Sequence, residues 1–425
     1  MLQSRIKRMD SFDVIVCGGG PAGFTAAVAA ARLGCRTALL ERYGMLGGAM
    51  TVGGVPAPAL FHAWGKLVIK GIGWELMERL AEAGWATLPD PSTPKRHPEM
   101  AVKVNAPMAA WLMDKMSQEA KVELFFHQPV VEVLGRDKSL EAVVISTKSG
   151  LQLLEGKVFI DCTGDGDIAA WAGADYELGA ELQPGTLGFY LKGSADVDSE
   201  KLNKSYMEAR EKGLILHGDF WGENGRNAVT ILRGLNVNHV VFNGADSRSR
   251  TKAELAGRES VARISHWLRD FESEFQPIII APEVWARESR RIIGEAYITV
   301  DDYLEAKAGP DAVCHSFYPI DQHTTDKKNT IKNIFLEEGK VPSIPYGALV
   351  PKGFKNLLVA GRCISGDRLA QSAFRVQASC MAMGQAAGTA AYLALTDNCA
   401  VGEIDLQQLR GVLAEKGAIV PEVAS

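Results

Sequence analysis

Apolar and polar positions change period twice within the first forty residues. Phe12, Val14, Ile15 and Val16 form a short apolar run, residues 21–32 are alanine-rich with helical character, and Thr37 to Leu40 is a second apolar run that closes on Glu41. Short apolar runs bounded by turn residues predict buried strands, and a helix between them predicts a β–α–β unit with parallel strands. Two helical stretches follow, Gly73 to Gly84 and Ala109 to Ala120, separated by a proline-rich loop at 89–98. Strand-like runs then cover Val122 to Phe126, Pro129 to Leu134, Ala142 to Thr147 and Val158 to Asp161. Residues 175–340 lose this alternation. It returns at Leu357 to Val359 and ends in a small-residue helix expected over about Ala370 to Leu395.

Between the first strand and helix stands Gly18-x-Gly20-x-x-Gly23, with the acid Glu41 roughly 20 residues on, the full dinucleotide-binding pattern. Gly18 permits the tight turn, Gly20 lets a pyrophosphate approach the backbone, and Gly23 lets helix and strand pack closely. The helix N-terminus after Gly20 offers unpaired N–H groups and a positive dipole end to phosphates. Glu41 suits the hydroxyls of an adenosine ribose. The predicted class is α/β: a Rossmann-like domain with a central parallel sheet, assembled from 10–60, 121–175 and 341–395. A helical insertion (61–120), an α+β substrate or cap domain (176–340) and a C-terminal extension (396–425) complete it.

Composition narrows the partners. The 425 residues are 47% hydrophobic and 23% charged with a net charge of −5, which gives no general attraction to nucleic acid or anionic lipid. No apolar run reaches the roughly 18–20 residues of a membrane span, and no apolar h-region precedes the first strand. The seven cysteines form no CxxC, so a reduced, cytoplasmic protein is expected and a disulfide relay is not. The eight histidines show no HxxxH or HExxH spacing, so no metal site is expected. A homodimer is expected from base rates alone.

Two later strands also end in glycine turns: Val158 to Asp161 runs into Thr163-Gly164-Asp165, and Leu357 to Ala360 into Gly361-Arg362 and Gly366-Asp367. Parallel strands that end this way converge at one sheet edge, where ligands lie. The arrangement resembles the two-dinucleotide-binding-domain flavoproteins. That resemblance implies FAD, an internal Thr-Gly turn touching it, a late glycine turn facing the flavin, and adenine contacts from the strand at Val130. Arg287 to Glu295, Tyr318 to His323, Ile344 to Pro351 and Ala373 to Val376 resemble the signatures of the FAD-dependent oxidoreductase family, near the fumarate reductase and succinate dehydrogenase flavoproteins. Cofactor contacts are accordingly expected from Gly18, Gly20, Pro21, Ala22, Gly23, Glu41, Arg42, Gly48, Val130, Thr163, Gly164, Asp165, Gly361, Arg362 and Asp367.

For chemistry, a flavin supplies hydride or electron transfer and the protein supplies protons, charge and placement. His323 with Asp321 is the first acid/base candidate, the carboxylate orienting the ring or raising its pKa. The alternative is a hydrogen-bonded loop histidine. Arg287, Arg290 and Arg291 either clamp a substrate carboxylate or form ion pairs with neighbouring glutamates. Arg375 either sets positive charge beside the flavin or lies on a helix surface. Tyr318, His62 and Trp64 are further candidates for lining the cavity. The expected activity is hydride transfer between FAD and a small polar organic substrate, with an external electron donor or acceptor. Two other readings fit the same motifs: a flavin hydroxylase or geranylgeranyl-reductase-like enzyme, and a non-catalytic flavin protein that binds a partner. Arg368-Leu-Ala-Gln-Ser-Ala after Gly366-Asp367 departs from the pattern usual for the hydroxylases.

Overall fold

The computed structural model describes residues 6–91, 100–192, 198–220, 237–272, 274–324 and 331–423; most of the proline-rich loop at 89–98 lies outside them. Strand β1 (Lys7–Cys17) is buried through its apolar half, α1 (Pro21–Arg32) starts on a proline, and β2 (Thr37–Glu41) is buried throughout. Proline suits the first helical turn because its missing N–H would have no intrahelical partner there. Helices α2 (Ile72–Glu82) and α3 (Ala106–Glu119) fill the insertion, and the Asn105 side chain caps α3 by accepting from the Met108 N–H. Strands β3 (Glu123–Phe126), β4 (Val130–Arg136), β5 (Ser139–Thr147) and β6 (Gly150–Asp161) precede the short α4 (Asp167–Trp171).

A second apolar core belongs to the cap. Strand β7 (Phe189–Lys192) pairs antiparallel with β8 (Gln276–Ile280), and between them lie α5 (Ser199–Glu211) and α6 (Ser247–Phe271). Buried residues from Leu187 to Ala286, including Tyr206, Phe220 and Trp267, make up this core. It ends earlier than the expected cap boundary near 340. Ile292, Ile298, Tyr303, Val313, Ile320 and Ile344 pack into the first core instead, because their apolar side chains lie against the nucleotide domain.

The chain returns through β9 (Ile320–His323), paired antiparallel with β10 (Ile331–Ile334), to β11 (Leu357–Val359). Strand β6 does double duty. Its first half pairs antiparallel with β5, which pairs with β4, while its second half runs parallel between β1 and β11. The parallel order is β3-β2-β1-β6-β11, so five strand ends open on one edge.

The expected single helix over 370–395 is two: α7 (Arg368–Phe374) and α8 (Gln377–Thr396). Val376 is extended between them (φ −68°, ψ 150°), and the Ala378 N–H bonds to the Pro58 carbonyl from another loop. The break leaves Arg375 at the junction. Helix α8 is buried on nearly every side, as expected for a helix with no polar face. It presses on α1 through Gly384 and Gly388, where an added Cβ would lie 2.0 Å from the Ala22 oxygen and 2.2 Å from the Ala26 oxygen. Helix α9 (Leu406–Glu415) closes the chain, and no described helix is long and apolar enough to cross a membrane.

Candidate active site

The glycine turn is built by steric demand. Gly18 has φ +102°, and a Cβ there would sit 2.5 Å from the Cys162 carbonyl oxygen. A Cβ on Gly23 would meet the Gly18 oxygen at 1.8 Å, so this glycine serves strand–helix packing from beneath the turn. Gly20 differs: nothing lies within 4 Å of its hypothetical Cβ, which opens into free space at the N-terminus of α1. Glu41 is buried, and its oxygens accept from the Gly19 N–H (2.7 Å) and the Tyr43 N–H (2.8 Å). Burial raises its pKa above the usual carboxylate value, and these bonds offset that only in part. Each carboxylate oxygen keeps a lone pair for a further donor.

A cleft of about 1110 Å³, its open mouth included, follows the strand ends. Among the expected cofactor contacts, Gly18, Gly20, Pro21, Ala22, Glu41, Arg42, Gly48, Val130, Thr163, Gly164, Asp165, Gly361 and Arg362 line it, and so does Arg375. Asp367 does not: its carboxylate caps α7 through the Ala370 N–H (2.8 Å) and accepts from the Val300 N–H (2.5 Å). Trp64 donates to the Lys340 carbonyl instead of lining the cleft, and His62 packs edge-on to Trp74.

The cap closes the cleft's outer wall with charge, which sequence reasoning missed. Glu283 is paired with Arg42, accepts from the Tyr43 hydroxyl (2.7 Å) and lies 3.3 Å from Arg250. Asp165 is fully enclosed by Arg362 (2.5 Å), Arg250 (2.5 Å) and the Ser289 hydroxyl (2.5 Å). Burial works against its charge, but the two guanidiniums prevail and hold its pKa below the usual carboxylate range. Arg362 also lies over the Trp285 ring, 5.1 Å from its centroid.

Two of the three arginines of the 287–291 segment are engaged by carboxylates. Arg290 stands behind the cleft wall, donating to the lining residues Asp167 (2.7 Å) and Asp165 (its carbonyl, 3.1 Å), and Arg291 is paired with Glu288 and Glu177. Arg287 is the exception. It is 3% exposed, donates to the Pro184 carbonyl (2.6 Å), and its pKa is lowered to about 9 by burial and by the charge of Arg375.

Arg375 connects the cleft to an inner cluster. Its guanidinium donates to the Asp321 carbonyl (3.3 Å) and lies 3.8 Å from the Asp321 carboxylate. That carboxylate is 3.4 Å from His323 Nε2, and His323 Nδ1 is 2.8 Å from His239 Nε2. Tyr318 stands near Asp321, with its pKa pushed up by burial and that charge. His239 carries no motif of its own, and only the fold brings it here. The expectation that Asp321 raises the His323 pKa is reversed. Burial and the charge of Arg287 outweigh the carboxylate and lower His323 to about 4, while burial and Arg287 hold His239 far below its ordinary value. Asp321 is held well below its usual range: burial opposes its charge, and His323, Arg375 and Arg287 overcome that.

These shifts have a stability consequence with a definite sign. Above about pH 6.5 neither state protonates the histidines. Below it the unfolded chain takes up protons that the folded one refuses, so stability falls at about 1.4 kcal/mol per pH unit for each histidine. For His323 this loss runs down to about pH 4. Urea midpoints between pH 7 and 5 should therefore drop more steeply for the natural protein than for His323→Gln; parallel curves would contradict the assignment.

The residues present fit a flavin dinucleotide. Arg362 Nε, Arg375 Nε and Gln377 Oε1 are buried at the cleft without a hydrogen-bond partner among the described residues. Buried polar atoms are normally satisfied, so two donors and one acceptor left open along one wall call for a polar ligand there. The open space at Gly20 and the carboxylate at Glu41 serve the phosphate and ribose ends.

A 53-residue stretch, 12% of this chain and 11% of the relative, is 53% identical to dihydrolipoyl dehydrogenase of Trypanosoma brucei brucei. The chain thus spans about a tenth of the length of that relative. Among solved structures, a geranylgeranyl bacteriochlorophyll reductase-like protein of Thermoplasma acidophilum aligns over 96% of this chain and 84% of its own, at 13% identity and TM-score 0.45. The E. coli quinol fumarate reductase chain FrdA aligns over 97% and 74%, at 14% identity and TM-score 0.44. The model of the FAD dependent oxidoreductase family matches residues 13–413, so this chain belongs to that family, an enzyme with FAD as its cofactor.

Proposed function

We propose that this oxidoreductase transfers hydride between FAD and a small polar organic molecule seated beside Arg375, Asp321, His323 and His239, with an external electron partner completing the cycle. The observation that carries this reading is the buried titratable cluster joined to the cofactor cleft through Arg375. Burial and a specific charge partner that perturb ionisable groups beside a cleft give a physical ground for placing chemistry there. The bound flavin supplies the two-electron chemistry. Glu41 and the α1 N-terminus hold the nucleotide end, and the Glu283–Arg42–Arg250 clasp joins the cap to the nucleotide domain over it. Arg375 favours negative charge at the inner end of the cleft. Arg287 and Tyr318 set polarity around the substrate, and the histidines carry the proton. All seven cysteines are free, which supports a reducing, cytoplasmic setting.

The test is an anaerobic visible spectrum of the purified flavoprotein, titrated with NADH, NADPH and a panel of hydroxy acids, amino acids and sugars. Bleaching of the flavin band by a panel member, with reoxidation by an added acceptor, is the expected result. A flavin that only dithionite reduces would count against a small-molecule substrate.

A further inference from the structure

The inner cluster dictates where its protons sit. A carboxylate accepts and never donates, so the His323 nitrogen facing Asp321, Nε2, carries the hydrogen. A neutral imidazole has one N–H, which leaves His323 Nδ1 as a bare acceptor. The nitrogen opposite it at 2.8 Å, His239 Nε2, must then be the donor. His239 in turn keeps its lone pair on Nδ1, at the end of the chain Asp321–His323–His239. Burial agrees with this order: His323 is 3% exposed with both ring nitrogens engaged, whereas His239 is half-buried.

We propose that His239, contributed by the cap, exchanges the proton with substrate through Nδ1, and that His323 and Asp321 position it and lock its tautomer. This rests on the oxidoreductase reading above. As a substrate H–C–O–H unit is oxidised, the C–H bond breaks and the hydride leaves with both electrons to the flavin. The O–H bond breaks and its proton forms the new N–H bond at His239 Nδ1, leaving a carbonyl. The imidazolium keeps its Nε2–H on His323 Nδ1, and Asp321 prevents His323 from presenting an N–H in that direction. Reduction of a carbonyl runs the same steps backwards. Burial and the charges facing the pair keep both rings neutral before reaction: Arg287 and His217 disfavour protonation of His239, Arg287 and Arg375 disfavour that of His323, and Asp321 opposes them.

The test uses FAD-loaded protein with ¹⁵N-labelled histidine at pH 7, read by two-bond ¹⁵N–¹H correlations, with resonances assigned through His239→Gln and His323→Gln. Both rings should appear as neutral Nε2–H tautomers. In Asp321→Asn the amide can donate to His323 Nε2, which should turn both rings to the Nδ1–H form and remove the base from His239. A structural role for Asp321 predicts no such concerted switch. An Nδ1–H or doubly protonated His239 in the natural protein, or an unchanged His239 in Asp321→Asn, would overturn the proposal. If that variant fails to fold, the natural protein's spectrum decides. Failure of the oxidoreductase reading would show separately, as a flavin in the same sample that no panel compound bleaches while the tautomers stand.

Discussion

Gly20→Val should abolish FAD retention while leaving the fold in place. The position has no heavy atom within 4 Å of a hypothetical Cβ, so a branched side chain enters the cleft rather than the core. Backbone at Gly20 is already extended (φ −69°, ψ −173°), so valine adopts it without strain, and the loss of a favourable helix-capping residue costs about 1 kcal/mol or less. The pyrophosphate, by contrast, loses its approach to the helix N-terminus. A fall in FAD affinity of at least a hundredfold, about 3 kcal/mol, is expected. Gly18→Ala should do the reverse of this separation. Its positive φ adds about 1–3 kcal/mol of strain, and its Cβ drives into the Cys162 carbonyl, so fold and cofactor fail together. Flavin absorbance per protein after desalting, set beside urea midpoints of the apoproteins, measures both effects. Stoichiometric FAD in Gly20→Val would remove that glycine from the cofactor site.

The second large effect belongs to Arg362→Leu. Asp165 is 2% exposed and depends on Arg362 and Arg250 for its charge. Removing one partner from a buried ion cluster costs about 3–5 kcal/mol, because the remaining charge stays desolvated. The pH dependence fixes the cause. In the natural protein the Asp165 carboxylate contributes stability above the ordinary carboxylate pKa and loses it as pH falls through its depressed folded value. Without Arg362 that pKa rises, so the gap between variant and natural protein should be widest near pH 7 and narrow on acidification. Asp165→Asn added to Arg362→Leu should recover part of the loss, since it removes the stranded charge. A pH-independent gap would assign the effect to lost packing against Trp285 instead.

Much of this molecule was legible in the chain. The β–α–β start and the three glycine turns were readable because each depends on neighbours within a few residues: a strand's apolar run, a turn that only glycine can make, a helix that must begin there. Thirteen of the fifteen expected cofactor contacts line one cleft for the same reason. The exceptions are instructive. Asp367 follows a glycine turn like Asp165 does, yet it stands at the N-cap itself, and its carboxylate caps α7, whereas α4 is capped by Gly166 and leaves Asp165 to the arginines. Arg290 and Arg375 look alike in sequence, but one meets Asp167 and the other reaches the cleft because the last helix breaks beside it.

The sequence by itself determined the cofactor's cradle, since the backbone conformations that hold a dinucleotide are encoded locally. Only the tertiary structure decided the chemistry around it. His239 meets His323 across 84 residues, Asp165 meets Arg362 across 197, and Arg42 meets Glu283 across 241. Nothing in local propensity or spacing specifies such partners. Their protonation follows from burial and from charges brought together by folding, which is why a carboxylate next to His323 fails to raise its pKa once Arg287 and the apolar interior are counted.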